Sequence, residues 1–291
     1  MDNTRSARRR RTALTVAAGA ALVAVAVPLS STATAGTAAP GGPAVAHGAS
    51  HPGLTRYDTT QYDDTYYKDA IGKTGQALKD SLHQIISSTQ TGKLSYSQVW
   101  DALKETDQDP ANSANVILLY SGRSQSKDSN GSNPDDWNRE HVWAKSHGDF
   151  GTATGPGTDI HHLRPADVSV NSTRGNKDFD NGGTEVGEAP GNYTDDDSFE
   201  PRDAVKGDVA RMILYMAVRY DGEGGFADLE PNDKVDNGSA PNIGRLSVLT
   251  EWSKQDPPDT FEKHRNQVIF DKYQHNRNPF IDHPEWVNEI W

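Results

Sequence analysis

The chain has 291 residues, no cysteine, and 41 acidic against 29 basic residues, a formal net charge of -12. Zero cysteine excludes a thiol nucleophile, an iron–sulfur cluster, a cysteine-ligated zinc site and any disulfide framework. Hydrophobic content of 34% and a mean hydropathy of -0.77 predict long polar loops around a modest core, while six tryptophans, ten tyrosines and seven phenylalanines give that core large anchors and exclude a disordered polyanion.

In chain order, Arg5 and the run Arg8 to Arg11 precede an apolar stretch over residues 13–28, followed by Ala33-Thr34-Ala35. A basic region, a short apolar region and small residues at the cut predict a secretory signal over residues 1–35, with Ala39 and Ala46 as alternative cut positions. The apolar stretch is short for a membrane span, so the mature chain is expected to be secreted, extracellular and free of the membrane. Residues 36–56, rich in Gly, Ala and Pro, read as a flexible tail, and 57–291 as one domain without internal repeats. Removing residues 1–35, with their five arginines and one aspartate, would leave 24 basic and 40 acidic residues. That balance opposes nucleic-acid binding unless a local groove is basic or filled by metal.

Leu78, Leu82, Ile85 and Ile86 recur at helical spacing and predict a helix over 68–88. Ser97 is a candidate cap for a second helix carrying Trp100 and Leu103. The apolar run 116–120 predicts a buried strand, and the polar stretch 124–138 a surface loop. Residues 137–143 are β-friendly, and 159–163 form a second short strand candidate after a Gly-rich passage. Pro165 suits the first turn of a helix on which Asp167, Asn171 and Arg174 share a face. Asp208 is expected to cap a helix with Val209, Met212, Ile213 and Met216 on one stripe, and helices are expected at 243–254 and 259–274. Helices around a small strand-bearing centre make an α+β chain.

The strand, loop, strand, helix centre gathers Glu140, His141 and Asn171. A carboxylate and an amide oxygen are hard ligands suited to Mg²⁺ or Ca²⁺. A histidine off the metal is a candidate general base for an attacking water, and Arg174 a candidate clamp on a phosphate oxygen. Such a set amounts to a one-metal phosphodiesterase. His141, His147, His161 and His162 offer an alternative zinc site, with hydrogen bonding inside the motif as the plainer use of the His161–His162 pair.

The segments WNREHVWAKSHGDFG (137–151), DIHHLRPADVSVNSTRGN (159–176), KGDVARMILYM (206–216) and QHNRNPFIDHPEW (274–286) closely resemble the endonuclease I family, in the right order and over about residues 57–291. The resemblance implies a secreted or periplasmic, sequence-non-specific nuclease with a ββα-metal (His-Me finger) core, a small sheet surrounded by helices. It implies that Glu140 and Asn171 hold the metal, Mg²⁺ with Ca²⁺ or Mn²⁺ as alternatives, and that His141 is the base. It further implies that water attacks phosphorus and leaves 5′-phosphate ends. Many Gram-negative members carry cysteines, so helix packing must replace any bridges here.

No base-reading motif is present, so substrate is expected to be gripped through backbone and groove shape, DNA first and RNA second. Arg139, Lys145, Arg164 and Lys177, with Arg174, are the candidate substrate-binding cations, and Arg277 is a more remote one. The chain is expected to be a monomer. Two competing readings remain at this point: an acidic Ca²⁺-binding protein without catalysis, and a phosphodiesterase for small substrates.

Overall fold

The computed structural model describes residues 59–291; the expected signal (1–35) and tail (36–56) lie outside the described residues. Helix α1 (Gly75–Thr89) buries Leu78, Leu82, Ile85 and Ile86 on one face, as their spacing predicts. It begins later than residue 68 because the chain before it runs as turns, and Gly72 takes a left-handed φ of 76° that no continuous helix allows. Helix α2 (Val99–Thr106) follows, with Gln98 rather than Ser97 at its cap position. Strands β1 (Gln108–Asp109), β2 (Asn112–Ile117) and β3 (Ser124–Ser126) form an antiparallel sheet in that order. The apolar run expected as one strand splits here: β2 ends at Ile117, and Leu118, Leu119 and Tyr120 are buried in the turn beyond it.

Strands β4 (Trp137–His141) and β5 (Leu163–Asp167) form an antiparallel ribbon, and helix α3 (Val168–Arg174) leaves directly from β5. The register sets Arg139 against Pro165, Glu140 against Arg164, and His141 against Leu163. Pro165 therefore lies in a strand, not in a helix. A two-stranded ribbon is all edge, where a missing N–H is tolerated, and the Pro165 carbonyl accepts the Leu119 amide at 2.9 Å.

Beyond α3, strands β6 (Asp178–Phe179), β7 (Thr184–Glu185), β8 (Tyr193–Thr194) and β9 (Ser198–Glu200) pair in the order β6-β9-β8-β7, with β6 and β9 parallel. Helix α4 (Lys206–Arg219) is buried all round from Lys206 to Val218, not along a single stripe. Arg211 is accommodated there because Glu262 accepts its Nε at 2.8 Å and its Nη2 at 2.5 Å. Asp208 does not cap the helix; it accepts Arg164 Nη1 at 3.2 Å.

Strands β10 (Glu230–Pro231) and β11 (Asn242–Ile243) are parallel. Helix α5 (Leu246–Gln255) packs along α4. Helix α6 (Thr260–Val268) is capped by Asp259, whose Oδ1 accepts Glu262 N at 2.8 Å, and it loosens into a π turn at Ile269–Tyr273. Short helices α7 (Pro279–Asp282) and α8 (Trp286–Ile290) follow. Small sheets among helices make the described residues α+β.

Asp107, fully buried at the end of α2, ties three distant segments together. Its Oδ1 accepts Arg164 Nε from β5, and its Oδ2 accepts Arg265 Nε from α6 at 3.2 Å and Thr106 Oγ1 at 2.7 Å. Asp107→Ala should cost about 3–5 kcal/mol, since it strands two buried guanidinium groups; urea unfolding against wild type measures the loss.

Candidate active site

Helix α3 is tied to β4 through Asn171–Asn138 and Arg174–Glu140 hydrogen bonds, and Glu140, His141 and Asn171 each keep one polar atom free of hydrogen bonds. Glu140 is 2% exposed. Its Oε1 accepts Tyr120 Oη at 2.7 Å and Arg174 Nη1 at 3.1 Å, while Oε2 takes no hydrogen bond yet is not sealed from solvent. Burial raises the Glu140 pKa, opposed by the charge of Arg174 and the Tyr120 hydroxyl. Asn171, half-buried on α3, donates Nδ2 to Asn138 Oδ1 at 2.7 Å, which leaves Oδ1 as its open acceptor. His141 donates Nε2–H to the Gly157 carbonyl at 3.1 Å, so the Nδ1 lone pair is the free one and still touches solvent. Burial, then the neighbouring His162, pushes this imidazole down to about 3 and keeps it neutral.

The loop between the strands that carries Gly157 is itself fastened by histidines. His162 donates Nε2–H to Pro156 O at 2.7 Å and accepts the Trp143 amide on Nδ1 at 3.3 Å. The His147 ring nitrogens lie 2.6 Å from Asn242 O and 2.8 Å from Asn176 O. His161 faces Asn276 O and Oδ1 at 3.3 and 3.2 Å, with its ring against Tyr215. These contacts lead to separate backbone groups, so the four histidines do not assemble a zinc site.

The cations divide differently from the sequence expectation. Arg174 is fully buried: Nη1 donates to Glu140 Oε1 and, at 2.8 Å, to His141 O, while Nη2 donates to Val142 O at 2.7 Å. Its guanidinium lies 4.6 Å over the Phe179 ring. That geometry positions the glutamate and strand β4 and offers no face to a substrate phosphate. Arg164 is consumed by Asp107 and Asp208, and Arg277 by Asp282, so neither reaches the surface. Burial removes three of the expected substrate cations.

Arg139 is half-buried between the Tyr96 and Trp100 rings, 3.5 and 4.0 Å from their centroids. Lys177 donates to Thr194 Oγ1 at 2.7 Å. Lys145 is exposed, and its charge works against protonation of both Glu140 and His141. Sequence reasoning missed Tyr120, Asn138, Tyr96 and Gly157. Asn138 was within reach, since it shares the Glu140 face of β4 by strand alternation. Tyr96, whose ring centroid lies 5.8 Å from that of His141, had no local signal.

The family model for Endonuclease I matches residues 74–285. The chain belongs to the endonuclease I family. It is 70% identical over 222 residues to proteins named "Extracellular ribonuclease" from Bacillus subtilis (strain 168) and Bacillus amyloliquefaciens, matching 76% of this chain and 76% of each relative. This endonuclease I protein is thus a secreted nuclease, and the reading as a non-catalytic calcium-binding protein falls. Among the described residues no helix is long and apolar enough to cross a membrane.

Tyr120→Phe removes one of two hydrogen bonds that fix Glu140 Oε1. With Glu140 as the metal ligand that the family resemblance implies, losing that hydrogen bond should cost roughly 10–100-fold in metal affinity or activity. A divalent-ion titration of nuclease rate, compared with wild type, reads the change.

Proposed function

We propose that this protein is a one-metal, sequence-non-specific endonuclease that hydrolyses RNA and DNA to 5′-phosphate ends, built on a ββα-metal core made of β4, β5 and α3. One observation supports the reading: β4 and α3, tied by the Asn171–Asn138 hydrogen bond, carry a carboxylate oxygen, an amide oxygen and an imidazole nitrogen that are each free of protein hydrogen bonds. Glu140 Oε2 and Asn171 Oδ1 are hard donors, the chemistry that Mg²⁺, Mn²⁺ or Ca²⁺ takes. An ion held there neutralises charge on the phosphate and on the leaving oxygen.

His141 performs the proton step. Its Nδ1 takes a proton from water while the water oxygen bonds to phosphorus; the P–O3′ bond breaks, the departing 3′-oxygen takes a proton from solvent to become a hydroxyl, and a 5′-phosphate remains. Gly157 O holds the ring so that Nδ1 faces outward. Arg174 acts as a positioning residue, since its bonds to Glu140 Oε1, His141 O and Val142 O fix the glutamate beside the base.

A water nucleophile makes no use of the 2′-hydroxyl, which supports cleavage of both sugars. The RNA substrate in the names of the Bacillus relatives and the DNA expected from the motif are then compatible. Lys145 and Arg139 are the surface-reaching cations proposed to meet phosphate. The molecule is proposed to act as a monomer.

Supercoiled plasmid and a 2′-O-methyl RNA, each incubated with Mg²⁺ or EDTA, test the reading. Both should be cut to 5′-phosphate products with Mg²⁺ only, and His141→Ala should lower the rate roughly 10²–10⁴-fold. Intact 2′-O-methyl RNA, or cyclic phosphate ends on RNA, would overturn the water mechanism. Cleavage should also fall steeply with salt, and Lys145→Ala should reduce the slope of log rate against log salt by about 1; a slope equal to wild type would remove Lys145 from the substrate surface.

A further inference from the structure

A second cluster of metal-ligating side chains lies where α1 meets the loop that leaves α4. His83 on α1, with Asp221 and Glu223 from the loop, offer one ligand atom each, all within 4.8 Å of one another. None of the three shares a hydrogen bond with Glu140, His141 or Asn171. His83 is 8% exposed, while Asp221 and Glu223 lie at the surface.

The His83 ring is oriented as a ligand is. Nδ1 lies 2.8 Å from the Val218 carbonyl, which can only accept, so Nδ1 carries a proton and Nε2 is the nitrogen left to meet a ligand. A backbone carbonyl on the other ring nitrogen is the usual support behind a metal-bound histidine. Nε2 faces Glu223 Oε2 at 3.4 Å, and Asp221 Oδ2 stands 3.5 Å from Nδ1. The Nε2–Glu223 contact needs positive charge between nitrogen and carboxylate, supplied by a proton on Nε2 or by a bound cation.

One further observation points the same way. The distances suit a small ion: two ligands about 2.0–2.2 Å from a tetrahedral zinc stand roughly 3.3–3.5 Å apart, against 3.4 Å between Nε2 and Oε2.

We propose that His83, Asp221 and Glu223 form a second divalent-cation site, for a borderline ion of the Zn²⁺ class, that staples α1 to the loop after α4. One nitrogen and two carboxylates with open positions suit Zn²⁺ better than Ca²⁺, which prefers six to eight oxygens. The ion's role is structural: it holds a loop that carries glycines at left-handed φ on both sides of Glu223, Gly222 at 89° and Gly224 at 70°.

The test uses the mature chain carrying Glu140→Gln and Asn171→Ala, which keeps an acceptor for Arg174, removes the proposed catalytic ion and separates this inference from the proposed function. Isothermal titration with Zn²⁺ alone and thermal melting are the readouts. One equivalent of Zn²⁺ should bind and raise the melting temperature. Adding Glu223→Gln, a surface change that leaves folding intact, should weaken that binding more than about tenfold, as should His83→Gln. No uptake, uptake indifferent to both substitutions, or uptake of Ca²⁺ in place of Zn²⁺ would each overturn the proposal.

Discussion

The buried guanidinium of Arg174 is the constraint on which the site depends. It ends α3, yet its donors reach the Glu140 carboxylate and the carbonyls of His141 and Val142 on the other strand of the ribbon. A charged side chain with no exposure survives only when paired and hydrogen-bonded, and here both Nη atoms are held by β4 and the residue after it, with Nε alone left without a partner. The helix cannot shift relative to β4 without breaking a buried charge pair, so Asn171 on the helix and Glu140 on the strand keep a fixed relation.

The same logic runs through the interior. Low hydropathy and 34% hydrophobic content suggest a thin core, but the structure fills much of its interior with paired charge. Asp107, Arg164, Asp208, Arg211, Glu262 and Arg265 link α2, β5, α4 and α6 through buried ion pairs. Without cysteine, crosslinks between distant segments fall to these pairs and to the packing of α4 against α1 and α5. The directional bonds of guanidinium groups fix orientation as well as contact.

Histidine is used in two ways. His147, His161 and His162 are buried against backbone carbonyls and hold the loop between β4 and β5. His141 is held by a carbonyl of that loop through one nitrogen and keeps the other free. The difference lies in what faces the second ring nitrogen, and that is set by packing.

The sequence alone determined the chemical inventory. Glu140 and His141 are neighbours in the chain, Asn171 sits on the following short helix, and their types already spell hard-metal ligands and a base. The helical stripe of α1 and the family resemblance were legible in the same way, since apolar spacing and consecutive motifs are local. Tertiary structure decided which cations stay at the surface and which hold the frame. Arg164, Arg174 and Arg277 look like Lys145 in a list of charges, but their partners come from segments brought together only by folding, or turn them inward to buried carboxylates. The exposure of a long cationic side chain depends on what packs over it, and no local pattern records that. The Gly157 carbonyl that orients His141 belongs to the same class: any residue supplies a carbonyl, and only the path of the loop aims this one at the ring.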